Sequence, residues 1–77
     1  MDIHWEDGFL IKVRIGNGTA VVSANREGLL SLAGHLKALA DEAPGCHIHL
    51  DAYNGLEEGS AELILEKIPG DESAVTD

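Results

Sequence analysis

Two stretches of this chain alternate apolar and polar residues with a period of two, and each is followed by residues able to reverse the chain. In the first, Phe9, Ile11, Val13 and Ile15 share one side while Leu10, Lys12 and Arg14 share the other. That period writes a strand with one buried face. Gly16-Asn17-Gly18 comes next, and Gly and Asn tolerate the positive φ that primed hairpin turns require. Thr19 to Ala24, rich in valine, returns as the partner strand. In the second stretch, Cys46, Ile48 and Leu50 alternate with His47, His49 and Asp51. A polar loop holding Asn54, Gly55 and Gly59 leads to a β-prone run from Ser60 to Ile68. There Ala61, Leu63 and Leu65 point inward, and Glu62, Ile64 and Glu66 share the outward side with His47, His49 and Asp51.

Between the hairpins lies a helix. Asn25 is the expected N-cap, with Ser23 the other choice, because an Asn side chain can accept from amides left unpaired at a helix start. Glu27 in the first turn complements the helix dipole. Leu29, Leu32, Ala33, Leu36, Leu39, Ala40 and Ala43 form the apolar stripe expected to meet the sheet. Gly28 and Gly34 each cost about 1 kcal/mol against alanine inside a helix, and Gly34 is read as a close approach of helix to sheet. Pro44-Gly45 ends the element. Met1 to Asp7 reads as a short first strand carrying Trp5 as a core anchor, with Glu6-Asp7-Gly8 as a turn. Leu56 is expected to tuck under the second hairpin. The layout is ββαββ in the α+β class: a four-stranded, mainly antiparallel sheet with one helix on one face. Residues 1–68 form a single domain and residues 69–77 a flexible acidic tail. The uncovered sheet face mixes Leu10 and Ile64 with charged residues.

Seventy-seven residues bury only about 60% of the surface their unfolded chain exposes. A homodimer is therefore expected. Fourteen acidic against five basic residues give a formal charge of −9. Nucleic-acid backbones and anionic membrane surfaces are disfavoured partners, since like charge would meet like. A basic protein groove is favoured. Cys46 is the sole cysteine, so no internal disulfide forms, and its place on the apolar side suits a buried thiol. No apolar run approaches the roughly 20 residues of a bilayer span, and Met1-Asp2-Ile3-His4-Trp5 lacks a signal-peptide pattern. The expected location is the cytoplasm of a bacterium-like cell.

For chemistry, His47, His49 and Asp51 project to one side of a strand at roughly 6.6 Å per step. Two imidazoles and a carboxylate suit zinc or iron, with His4 or Glu62 as a further ligand, yet no fourth ligand is fixed by spacing. No metal and no cofactor is expected; a metal-binding domain stands as the alternative, beside a structural homodimeric module. Glu57 and Glu58 sit on a loop too exposed for tuned acid–base catalysis. Ser31, Ser60 and His35 lack a nucleophile elbow, and Gly16-Asn17-Gly18 lacks the lysine and helix of a phosphate loop. Tyr53 and Asn54 at the tip, flanked by acids, suit recognition, since tyrosine offers contact area at small entropy cost and carboxylates pair with arginines. A Tyr53 that simply covers the end of the core is the equal alternative.

Gly28-Leu29-Leu30-Ser31-Leu32-Ala33, then His47-Ile48-His49-Leu50-Asp51, Asn54-Gly55-Leu56-Glu57-Glu58-Gly59-Ser60 and Glu62-Leu63-Ile64, resemble the immunity protein 32 family over about residues 20–68. These are small bacterial proteins encoded beside polymorphic toxins. The resemblance implies a non-enzymatic protein that binds and neutralises a cognate toxin. It also implies structural roles: Asp51 bonding the loop amides and Ser60 capping the loop's end. The expected contact residues are His47, His49, Asp51, Tyr53, Asn54, Glu57, Glu58 and Glu62.

Overall fold

The structure, a computed structural model, describes residues 1–70; the expected acidic tail lies almost wholly outside the described residues. Strand β1 (Ile11–Gly16), strand β2 (Thr19–Ala24), helix α1 (Arg26–Ala40), strand β3 (His47–Leu50) and strand β4 (Leu63–Glu66) follow in the ββαββ order. Each hairpin forms an antiparallel two-stranded sheet. β1 and β2 pair with Val13 opposite Val22 and Gly16 opposite Thr19. Asn17 and Gly18 both take positive φ, 52° and 75°, the conformation a two-residue primed turn demands. In the second hairpin His49 faces Ile64 and Leu50 faces Leu63.

The two sheets are stitched rather than merged into one ladder. Residues 57–61 run along the edge of β1 that β2 leaves open. Glu57 N donates to Ile11 O at 2.8 Å, and Ala61 N to Val13 O at 2.9 Å. Val13 N donates to the Ser60 hydroxyl at 3.1 Å. β1 thus has partners on both sides, as buried backbone polar groups require.

Asn25 caps α1 as expected. Its Oδ1 accepts from Gly28 N at 2.7 Å and from Leu10 N at 3.0 Å, and its Nδ2 donates to Gly8 O at 2.9 Å. One side chain therefore closes the helix start and ties it to the entry of β1. The helix stops at Ala40 with Asp41 as C-cap, so Ala43 and Pro44-Gly45 fall in the following turn rather than in its last residues.

The face of α1 that packs differs from the expected stripe. Gly28, Ser31, His35 and Leu39 are buried, whereas Leu29 and Leu36 are 55% and 50% exposed. The cause is steric. A Cβ at Gly28 would overlap Leu10 O and stand 2.9 Å from Ile11 Cγ1 and 3.0 Å from Ala24 Cβ. Only a glycine lets the helix settle that close onto the first hairpin, and that contact fixes its rotation. Gly34, where the close approach was expected, has nothing within 4 Å of a built Cβ.

Residues 1–7 form no strand. They cross the helix as a strap, because their polar groups find partners on α1 rather than on a sheet edge. Glu6 N donates to the Ser31 hydroxyl at 2.8 Å, which itself donates to Glu27 O. His35 Nε2 donates to His4 O at 3.1 Å. Trp5 is half-buried, a core anchor as expected: it stacks on Phe9 at 4.5 Å and meets the His35 ring edge-on at 4.4 Å. Beneath the strap lie Ile11, Val13, Leu39, Ile48, Leu50 and Leu56, the buried core, with Leu63, Leu65 and Cys46 packed against it. Ile15, expected on the inner face, is 65% exposed because the tip of the first hairpin runs past the helix.

His35 is fully buried and its Nδ1 has no hydrogen-bond partner among the described residues. Desolvation holds its pKa below the ordinary 6.5, outweighing the opposite pull of the His4 carbonyl; the His4 ring adds to the lowering. The unfolded chain therefore binds more protons than the native one once pH drops toward 6.5. Stability is full above that value and falls as the pH descends through the depressed native pKa, with a slope of up to about 1.4 kcal/mol per pH unit. Urea titrations at stepped pH measure the slope, and His35→Phe is expected to flatten it. The two helix glycines give opposite outcomes in the same assay. Gly28→Ala is expected to destabilise by about 1–3 kcal/mol through overpacking, and Gly34→Ala to stabilise by about 0.5–1 kcal/mol.

Candidate functional site

The turn after β3 is built by its own polar side chains. Asp51 Oδ1 accepts from Tyr53 N at 2.9 Å, and Asn54 Nδ2 donates back to His49 O at 2.7 Å. Asn54 and Asp51 also exchange backbone bonds, and Leu56 N donates to Asp51 O at 3.0 Å. Gly55 takes φ +94°, and a Cβ there would press into the Trp5 ring, so the turn is clamped from outside by the strap. Leu56 drops into the core, as its place in the loop led us to expect. The role implied for Asp51, bonding loop amides, matches this geometry. Ser60 does something different: its hydroxyl serves Val13 rather than the end of its own loop.

On this frame Tyr53 stands 99% exposed, an aromatic ring with no packing of its own. Glu57 and Glu58 are exposed beside it in sequence, and Lys12 Nζ donates to Glu58 O at 2.7 Å, pinning the loop's return to β1. Next to this point a shallow cleft of about 290 Å³ is lined by Leu10, Lys12, Ser23, Asn25 and Glu57 among others.

The expected trio of His47, His49 and Asp51 does not assemble. His47 lies opposite Glu66 at the far end of the ladder. His49 instead meets Asp51 at 3.8 Å and Glu62 at 3.6 Å, because Glu62 enters β4 diagonally across from it. His4 is occupied elsewhere, 3.2 Å from Glu6. The ligand atoms of His49, Asp51 and Glu62 lie within 4.8 Å of one another. They make three half-open ligands, one short of the four that close a structural zinc site. Ser31 and His35, weighed as nucleophile and base, are buried and spent on the strap.

Sequence reasoning missed the stitching of the loop to β1. It also missed an open apolar groove of about 390 Å³ lined by Val22, Leu29, Leu32, Ala33, Leu36, Leu63 and Leu65. The periodicity had marked most of these residues, but as interior. No helix among the described residues is long and apolar enough to cross a membrane.

The geometry offers an exposed aromatic tip and an acid-bearing loop held in place by its own hydrogen bonds. The model of the family immunity protein 32 matches residues 19–68. The chain belongs to the immunity protein 32 family. The match spans β2, α1, β3, the loop and β4, while the strap and β1 precede it. Comparison with curated proteins and with solved structures yields no match. Within the family's span, Ser60 is the loop residue whose side chain bonds the β1 backbone. Ser60→Ala leaves Val13 N without a partner in a position 1% exposed, and is expected to cost about 1–3 kcal/mol in urea denaturation.

Proposed function

We propose that this immunity protein 32 member is a non-enzymatic antitoxin that binds a cognate toxin in the cytoplasm and blocks it. The small acidic chain works as a pair with a second copy. The contact surface is the loop and the outward face of β3 and β4: His47, His49, Asp51, Tyr53, Asn54, Glu57, Glu58 and Glu62. The observation that carries the reading, beside the family, is the loop itself. Its backbone is fixed by Asp51, Asn54 and Ser60 while Tyr53 and the Glu57 and Glu58 carboxylates are left to solvent. A preorganised loop loses little entropy on docking, and a fully exposed tyrosine is a ready anchor for a partner's pocket.

A net charge of −9 directs the choice of partner surface. Carboxylates at the rim of a contact raise the encounter rate with a basic groove and fix its register. Blockade needs no chemistry on this side, only occupancy of the toxin's working surface. The toxin encoded beside this gene is the test partner. Co-expression is expected to rescue growth, and the association rate to fall steeply with salt. The combined Glu57→Lys, Glu58→Lys, Glu62→Lys chain is expected to associate roughly 10–100-fold more slowly at low salt. Unchanged rates in that variant would move the contact elsewhere, and no binding of the adjacent toxin would end the reading.

A further inference from the structure

We infer that the open groove beside α1 is the surface on which a second copy of this chain docks, with the two α1 helices antiparallel across a two-fold axis at Ala33. The inference stands apart from toxin binding and names the face that pairs.

The first observation is a surplus of apolar surface on the helix. Gly28, Ser31, His35 and Leu39 pack inward, so the leucine-rich stripe of Leu29, Ala33, Leu36 and Ala40 is left outside the fold. These four recur at i, i+4, i+7 and i+11, a continuous ridge along one side of the helix. Next to the ridge lies the trench, floored by Val22, Leu63 and Leu65. Ridge and trench side by side on one molecule are what a self-complementary, two-fold contact uses.

The second observation is composition. None of the seven residues lining the groove is charged, in a chain that carries fourteen carboxylates. Homodimer interfaces are more apolar than transient contacts, and their cores are depleted of charge. Two strongly acidic copies can meet here without opposing carboxylates. A basic partner would be drawn to the acid-bearing loop instead.

The third is charge placement under the symmetry. Ala33 stands midway along Arg26–Ala40, and its small side chain permits close helix approach. Leu29 and Leu36 lie four residues before it and three after, so rotation brings each against the other's counterpart. The same rotation brings Arg26, at the helix start, to the partner's helix end, where the Asp41 carboxylate and the negative end of the helix dipole lie. Each dimer holds this pairing twice.

Sedimentation equilibrium of the full chain at increasing concentration tests the inference. The expected species at micromolar concentration is a dimer of about 16 kDa, twice the 8.2 kDa of one copy. Leu36→Glu is expected to give a monomer with an unchanged circular dichroism spectrum, since Leu36 is half exposed in the single copy. Arg26→Glu and Asp41→Lys are each expected to weaken dimerisation about ten-fold, and the double variant to restore it. Both reversals favour the isolated helix's dipole, so weakened pairing cannot be laid to an unfolded helix. A native chain that stays monomeric at every concentration would overturn the inference. So would a dimer indifferent to Leu36→Glu, or a double variant no better than the singles. A monomer whose Leu36→Glu form loses capture of the adjacent toxin would give the groove to that toxin instead.

Discussion

The backbone of β1 is the constraint around which this fold is arranged. Ile11 and Val13 are fully buried, and their amides and carbonyls must be paired in a place water does not reach. β2 supplies one edge. The other is supplied from almost fifty residues away, by Glu57, Ser60 and Ala61. That need explains why a long loop in so small a protein is ordered at all. It also explains why the second hairpin, joined to the first through bonds rather than a shared ladder, sits where its inner face closes the core with Ile48, Leu50 and Leu56. The loop is held by the interior, and its fixed shape is a consequence of core satisfaction.

A second layer of constraint comes from α1. Its buried side is small or polar: a glycine that clears the Leu10 carbonyl, a serine that takes an amide from the strap, and a histidine that donates to it. Such a face packs by close approach and hydrogen bonds more than by apolar area. The strap brings the bulk that the helix lacks there, with Trp5 lying between Phe9, His35 and Gly55. Residues 1–7 behave as a detached piece of core. The unpartnered Nδ1 of His35 is the cost of that arrangement, a buried lone pair tolerated where the ring is held by Trp5 and the His4 carbonyl.

Much of this was legible in the residues. Period-two alternation located both hairpins, Gly16-Asn17-Gly18 gave the turn, and Asn25 gave the cap, because each is a local preference that the tertiary structure had no reason to override. The loop's acids could be picked out as solvent-facing for the same reason, whereas Tyr53, readable equally as a lid on the core, needed the structure to show it 99% exposed. The rotation of α1 was not legible. Periodicity weighs apolar side chains, so it pointed at Leu29 and Leu36, whereas the packing was decided by where a side chain is absent, at Gly28. The strap could not be read either, since Ile3 and Trp5 alternate with polar residues as a strand would, and only the hydroxyl of Ser31 and the ring of His35 show that their backbone partners lie on a helix. His47 was grouped with His49 by spacing along one strand. Glu62 displaced it through a cross-strand diagonal, which spacing within a strand does not encode.

β4 shows how one element serves two surfaces at once. Its side chains alternate, so Leu63 and Leu65 face the groove while Glu62, Ile64 and Glu66 face the opposite side with His49. A copy docked in the groove and a partner docked on the acid-bearing face therefore do not compete for the same atoms. The two surfaces also differ in the physics that fills them. The groove is neutral and apolar, so a copy docking there would gain chiefly from burial, with Arg26 and Asp41 at its ends adding a smaller salt-sensitive part. The outward face gathers carboxylates, so association there is steered and salt-sensitive. Ala61, two residues ahead of β4, ties the approach to the strand onto β1. The period of two that first marked this strand is what keeps the acidic face and the apolar face apart on so small a chain.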